Sequence, residues 1–133
     1  SVKNINFSDV QYAIKNNNFI IINTLPKNKQ HCLIKNTVNI ENEEEKINML
    51  LKNNMGCNII IYGNNCNDNS IYKKGEQLNK LGLINVYIYA GGIFEWLILQ
   101  DVYGDENFPT DGYELDLLKY KSNNTFSYLL KNK

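Results

Sequence analysis

One loop in this 133-residue chain carries residues that could act chemically. The stretch IIIYGNNCNDNSIYKKGEQL, residues 59–78, has the pattern of an apolar strand, a polar loop containing Cys66 and the start of a helix. A thiol in a loop that leads into a helix N-terminus is where a cysteine of low pKa would be placed, because the helix dipole stabilises the thiolate. The chemistry that this arrangement could perform is nucleophilic attack by Cys66.

Two neighbouring features oppose that chemistry. Asp68 is two residues from Cys66, and a nearby carboxylate raises the pKa of a thiol. All 14 basic residues are Lys, so the chain lacks Arg, the side chain that binds oxyanions through a planar, bidentate fork. Lys73 and Lys74 could supply charge without that grip. Two interpretations remain, a nucleophilic Cys66 and an ordinary exposed loop cysteine, and these features favour the second.

Composition narrows the classes of partner and compartment. The 14 Lys balance 14 Asp and Glu, so the charge suggests neither nucleic acid nor a membrane surface as a partner. The three Cys are an odd number and do not have the spacing of a disulfide framework, which favours a reduced, intracellular compartment; the cytoplasm is the expected location. Cys32 and Cys57 are expected to be small buried hydrophobic residues. No stretch approaches the ~20 apolar residues of a membrane span. No zinc spacing, P-loop or dinucleotide fingerprint is present, so no cofactor or metal is expected.

Strand and helix patterns alternate along the chain. The segments FIIIN (19–23), CNIIIY (57–62) and VYIY (86–89) are typical of strands in a parallel sheet, and CLIKNTVNI (32–40) predicts a weaker strand with a turn in its middle. Helices are predicted from a capping box that begins at Ser8, over 43–53, from a cap at Ser70 to Gly82, over 91–101, and from Thr110 through Leu118.

This alternation predicts an α/β domain built from right-handed βαβ units, with helices on both faces of the sheet. Ligands of such domains bind beyond the carboxyl ends of the strands. The loop 63–69 follows the most apolar strand, which is expected to be central. It is therefore the expected site.

The segment LNKLGLINVYIYAGGIFEW (78–96) resembles the C-terminal half of rhodanese-like domains, in which a helix ending Leu-x-x-x-Gly is followed by a strand and Gly-Gly-x-x-x-Trp. Gly91, Gly92 and Trp96 supply that motif, and glycine suits a sharp turn that lies close to the active-site loop. The resemblance implies a rhodanese-like α/β fold with a central parallel sheet of about four to five strands. It extends to about residue 110 of a single domain, 1–133, in which 111–133 is predicted to form a C-terminal helical extension.

The departures from the family pattern fall on functional positions. Asn23 and Leu25 occupy the places of the family's Asp and Arg, so that ion pair is lost. Leu33 falls where the family has His, and His31 is expected to be a surface residue. The family's nucleophilic Cys is the first residue after the central strand, and in this register that residue is Gly63.

The resemblance also implies which residues form the loop. In the family a ring of backbone N–H groups and a helix dipole stabilise the Cys persulfide that forms when sulfur is transferred. The equivalents here are Gly63, Asn64, Asn65, Asn67, Asp68, Asn69 and Ser70, with Lys73 on the helix and Cys66 as the candidate nucleophile. A phosphatase of this fold would need Cys-x5-Arg and is rejected because the chain has no Arg.

We therefore expect a rhodanese-like domain with a degenerate site that serves as a binding or regulatory module. The alternative is a thiosulfate or persulfide sulfurtransferase that uses Cys66. A third hypothesis is a domain of a larger protein in which residues 63–74 form a protein-docking surface. The expected partner is a small sulfur-containing anion or a protein, with no nucleic acid and no membrane.

Overall fold

Four parallel strands form the central sheet of the protein. The computed structural model describes residues 2–127. In chain order the elements are β1 (Lys3–Ile5), α1 (Phe7–Lys15), β2 (Phe19–Asn23), β3 (Leu33–Ile34), α2 (Glu43–Asn53), β4 (Asn58–Tyr62), α3 (Ser70–Leu81), β5 (Val86–Tyr89), α4 (Gly92–Tyr103) and β6 (Thr110–Asp111), with 3₁₀ turns at Lys27–Lys29 and Leu117–Tyr120. The sheet order is β1-β5-β4-β2, and β3 pairs with β6 in a separate two-stranded ribbon.

Both faces of the central sheet are buried. Successive side chains of a strand point to opposite faces, so Ile60 and Tyr62 pack with residues of α1 and α4, whereas Ile59 and Ile61 pack with residues of α2 and α3. This explains why β4 is an almost continuous apolar run rather than an alternating one. The predicted α/β class, the central place of β4 and the helices on both faces are confirmed.

The first helix begins earlier than the sequence predicts. Its N-cap is Asn6, whose Oδ1 accepts from the backbone N–H groups of Ser8 (2.9 Å) and Asp9 (3.2 Å), while Asp9 Oδ2 accepts from Asn6 N (3.1 Å). The predicted capping box at Ser8 is wrong, because Asn6 and Asp9 form the box two residues earlier and Ser8 already lies inside the helix. The preceding β1, which the sequence analysis missed, is only three residues long and pairs with β5.

The segment predicted as a strand over 32–40 is mostly irregular. Only Leu33–Ile34 are in a strand, and they pair antiparallel with β6 rather than joining the central sheet. A turn follows in which Asn36 has φ +71°, and Val38 N then donates to Ile21 O (2.8 Å) at the edge of β2. The left-handed residue ends the strand after two positions.

The helix predicted from Thr110 is wrong. Thr110 lies in β6, and Gly112 has φ +85°, a conformation that interrupts a helix. Between Gly112 and residue 125 the helical structure is the four-residue 3₁₀ turn Leu117–Tyr120. The part of the predicted extension from residue 128 onward lies outside the described residues.

None of the helices within residues 2–127 has the length and apolar character needed to cross a membrane.

Candidate active-site loop

The loop 63–69 leaves β4 at Tyr62 and enters α3 at Ser70, at the carboxyl edge of the sheet. Gly63 is the first residue after the strand. A Cβ placed on Gly63 would stand 2.4 Å from Asp68 Oδ2 and 2.9 Å from Thr24 Oγ1. The space in which a side chain at this position would begin is therefore taken by a carboxylate.

Asp68 is the residue around which the loop is organised. Its Oδ2 accepts from Asn64 N (2.9 Å) and Asn64 Nδ2 (3.2 Å), and its Oδ1 accepts from Ser70 N (3.1 Å) and Ser70 Oγ (2.5 Å). Burial raises the pKa of this carboxyl, but the four hydrogen bonds together outweigh burial and hold the pKa below its ordinary value. An ionised carboxylate of the chain itself thus uses the N–H groups of Asn64 and Ser70.

The entry to α3 also differs from its predicted form. Ser70 is the first helical residue rather than the cap, and the N-cap Asn69 makes no side-chain capping bond. The N–H of Ser70 is instead satisfied by Asp68, two residues upstream. An Asx turn therefore replaces the predicted hydroxyl cap at this helix end.

Cys66 lies on the outer side of the loop. It is exposed, and its Sγ lies 3.9 Å from the Oδ1 of the adjacent Asn67. Asp68, not Cys66, lies against Gly63. The structure therefore brings Gly63, Asn64, Asp68 and Ser70 together and leaves the thiol outside that cluster.

A polar cavity of about 460 Å³ opens beside the loop. Lys29 Nζ lies at this cavity, donates to Asn64 Oδ1 (3.0 Å) and Lys119 O (2.9 Å), and sits 5.3 Å from the centroid of the Tyr120 ring. The residues that line the cavity are Lys29, Asn64, Asn65, Asn67, Asp68, Asn69, Lys119, Lys121, Ser122 and Asn123. Cys66 is not among them.

The segment 119–123 forms one wall of this cavity. Asn65, which is buried, donates through Nδ2 to Tyr120 O (2.7 Å), and its Oδ1 accepts from Asn67 N (2.9 Å) and Ser122 Oγ (3.2 Å). Asn67 Nδ2 in turn donates to Ser122 Oγ (2.8 Å). The sequence does not predict this wall, because its contacts span more than 50 residues and leave no local pattern.

The glycine pair lies directly against the loop. Gly92 has φ +69°, and a Cβ there would stand 2.6 Å from Gly63 O. The N–H groups of Ile93 and Phe94 donate to Gly63 O (3.0 Å) and Asn64 O (2.9 Å). The start of α4 thus fixes the backbone at the beginning of the loop, a contact that a side chain at position 92 would prevent.

The contacts of Trp96 and Gly91 indicate structural roles for both residues. The Trp96 ring is fully buried, and its Nε1 donates to Pro109 O (3.1 Å). A Cβ on Gly91 would stand 2.6 Å from the carboxylate of Glu95, which accepts from the Tyr89 hydroxyl (2.6 Å). Neither residue contacts the cavity.

A family model, the rhodanese-like domain, matches residues 7–99. The chain belongs to the rhodanese-like domain family. The predicted rhodanese-like fold is thereby confirmed. No curated protein sequence matches the chain.

Several solved structures share the fold of this rhodanese-like domain. The BH2092 protein from Bacillus halodurans has a TM-score of 0.64 and 18% identity, covering 96% of this chain and 89% of that one. Ygr203w from Saccharomyces cerevisiae, a homolog of single-domain rhodanese and the Cdc25 phosphatase catalytic domain, has a TM-score of 0.62 and 18% identity over 87% and 91%. The Alr3790 protein from Anabaena sp. has a TM-score of 0.61 and 15% identity over 96% and 90%. At these identities the likeness concerns the fold alone.

The positions where this rhodanese-like domain departs from the family pattern are occupied by other interactions. Asn23 is buried, and its side-chain amide pairs reciprocally with that of Gln30 (2.7 and 3.2 Å). Asn23 Oδ1 also accepts from Leu25 N (3.0 Å). Asn23 thus has a neutral amide partner at a place where the resemblance implies an ion pair.

His31 is exposed, as predicted, and its Nε2 lies 2.8 Å from Glu114 Oε1. Lys119 Nζ donates to the same oxygen (2.6 Å). The Lys119 ammonium, the Asp116 N–H and His31 hold the pKa of Glu114 at about 2, below its ordinary value of 4.5. This group ties the 3₁₀ turn at Leu117–Tyr120 to the segment before β3.

The remaining predicted positions lie apart from the cavity. Lys73 is exposed and does not line it, and Lys74 pairs with Glu43 (2.6 Å). Cys32 and Cys57 are buried, as predicted, and burial raises the pKa of both thiols. Within residues 2–127, no group of three His, Cys, Asp or Glu side chains is placed to hold a metal ion.

Proposed function

We propose that this rhodanese-like domain is a binding or regulatory module that does not transfer sulfur. One observation carries the proposal: the Asp68 carboxylate lies 2.4 Å from the point where a Cβ on Gly63 would be, and Gly63 is the residue that the resemblance places at the family's nucleophile. A thiolate at that place would meet a like charge, and the N–H groups of Asn64 and Ser70 already donate to Asp68.

The electrostatics of the loop support the same proposal. Sulfur transfer from thiosulfate requires an anionic donor to approach an anionic thiolate, so the site must supply compensating positive charge. The loop instead places an ionised carboxylate at its centre. The chain also has no Arg to bind the donor's oxygens in a bidentate fashion. The same lack argues against phosphatase chemistry, although the yeast neighbour Ygr203w is described as a protein tyrosine phosphatase.

The second candidate function is sulfur transfer through Cys66. The exposure of this thiol on the loop is the observation in its favour, because an exposed sulfur can reach a donor. Against it, Cys66 lies outside the cluster of N–H groups around Asp68.

We also propose an intracellular location for the protein, and its three free cysteines support that location.

The test is the release of thiocyanate from thiosulfate and cyanide. The wild-type protein is expected to give no turnover above the uncatalysed rate, and Cys66→Ser is expected to behave identically. Cys32→Ser serves as the control, because Cys32 is buried and is distant from the loop in the sequence. Turnover that Cys66→Ser abolishes and Cys32→Ser retains would replace the proposal by the second candidate.

A further inference from the structure

The cavity beside the loop carries an excess of positive charge. Three lysines and one carboxylate line it. Lys119 is neutralised by Glu114 (2.6 Å). The contacts of Lys29 are neutral oxygens, and Lys121 Nζ lies 3.4 Å from the amide oxygen of Asn124. Within residues 2–127, Lys29 and Lys121 thus have no carboxylate partner, which favours an anionic ligand.

A small free oxyanion is a poor match for this cavity. The N–H groups of Asn64 and Ser70, which could bind such an ion, already donate to Asp68. What remains for a ligand is the ammonium groups of the half-buried Lys29 and the exposed Lys121, and an exposed lysine holds a single ion weakly. The volume of about 460 Å³ lies in the range of pockets that hold far larger molecules.

The neutral part of the lining indicates the rest of the ligand. Side-chain amides dominate it, and those of Asn69 and Asn123 make no hydrogen bond within residues 2–127. An amide side chain offers both a donor and an acceptor, so it complements a peptide backbone. An extended peptide carrying carboxylates could therefore place its charges near Lys29 and Lys121 and its backbone beside the amides of Asn69 and Asn123.

We propose that the cavity between the loop 63–69 and the segment 119–123 binds an acidic peptide segment of a partner protein. This inference rests on the proposed binding function and names its ligand. Lys119 and Lys121 lie beyond the residues 7–99 that match the family model. The unpaired charge that selects the ligand is therefore supplied partly by Lys121, in the segment that follows the matched residues.

The test is a titration of the ¹⁵N-labelled protein with acetyl-Glu-Glu-Glu-Glu-amide, followed by amide chemical shifts. The expected shifts fall on residues 64–69 and 119–123 and weaken as salt is raised from about 0.05 to about 0.5 M, because exposed charges are screened. Lys121→Gln should weaken binding by about two- to fivefold, the range for one exposed ion pair. Lys80→Gln is the matched control, since Lys80 is an exposed lysine on α3 that does not line the cavity.

Three outcomes with the wild-type protein would overturn the inference. These are binding of the matched tetraglutamine peptide with equal affinity, binding of sulfate or thiosulfate at equal ionic strength with equal affinity, and an absence of saturable shifts at the cavity. Loss of affinity in Lys80→Gln equal to that in Lys121→Gln would do the same. The thiocyanate measurement reports separately on the proposed function, because Cys66-dependent turnover would end that proposal whatever the peptide does.

Discussion

Adding one methyl group at Gly63 should destabilise the domain because Asp68 occupies the space. The Cβ would stand 2.4 Å from Asp68 Oδ2, whereas ordinary contacts begin at 3.4 Å, so the carboxylate must move by about 1 Å. That movement breaks the bonds from Asn64 N and Nδ2 to the same oxygen, which are 2.9 and 3.2 Å long. Overpacking together with weakened charge-assisted hydrogen bonds should cost about 2–4 kcal/mol in the free energy of unfolding of Gly63→Ala.

Urea unfolding followed by circular dichroism measures this cost. With a typical slope of about 1–3 kcal/mol per molar urea, the midpoint should fall by about 0.7–4 M without a change of slope. Gly56→Ala is the matched control, because a Cβ at Gly56 meets nothing within 4 Å. Its midpoint should stay unchanged or rise slightly.

A double-mutant cycle tests the cause of the destabilisation in Gly63→Ala as well as its size. With the carboxylate removed by Asp68→Ala, the Gly63→Ala substitution should cost about 1 kcal/mol or less, because the nearest remaining atom is then Thr24 Oγ1 at 2.9 Å. The coupling between positions 63 and 68 should therefore exceed about 1 kcal/mol. If Gly63→Ala is as stable as wild type, or if its cost is the same with and without Asp68, then the Asp68 carboxylate does not occupy the space beside Gly63.

Three further substitutions probe the elements around the loop. Gly92→Ala should lower the melting temperature more than Gly104→Ala, because both glycines have positive φ but only Gly92 also faces a backbone oxygen at 2.6 Å; equal losses would contradict the close packing. Tyr62→Phe should cost about 1–3 kcal/mol in urea unfolding, since the buried hydroxyl accepts from Ile34 N at 3.1 Å; an unchanged midpoint would argue against that bond. The pKa of Glu114 is about 2 in the folded protein, below its ordinary value of 4.5, so its stabilising effect is complete above 4.5 and lost as pH falls towards 2. Glu114→Gln should make the melting temperature depend less on pH between about 2 and 4.5. An unchanged dependence would contradict the lowered pKa of Glu114.

The elements that the sequence predicts well are those whose burial leaves a local pattern. The apolar run over 58–62 lies in a strand buried on both faces, and Gly82 ends α3 with φ +118°. The helix over 43–53 agrees with its apolar spacing and its acidic start. In each case the pattern of apolar, acidic or glycine residues lies within a few positions of the chain, so the type of element could be read directly.

The errors lie where a distant partner decides the conformation. The stretch 32–40 has strand propensity throughout, but only Leu33–Ile34 find a partner, and that partner is Thr110–Asp111. Thr110 was predicted to begin a helix, and pairing with β3 together with the positive φ of Gly112 prevents one. Propensity is a weak guide when a pairing across more than 70 residues competes with it.

The sequence by itself determined the α/β class, the family resemblance and the position of Gly63 after the central strand, because strand period and chain register are local properties of the residues. Only the tertiary structure decided what occupies the space beside Gly63, where the Cys66 sulfur lies and which lysines share one cavity. Asp68 reaches that space through a turn of the loop. Lys29, Lys119 and Lys121 line one cavity because the parallel strands β2 and β4 end at the same edge of the sheet and the segment 119–123 contacts the loop there. Such proximity depends on how distant segments pack, and no spacing along the chain encodes it.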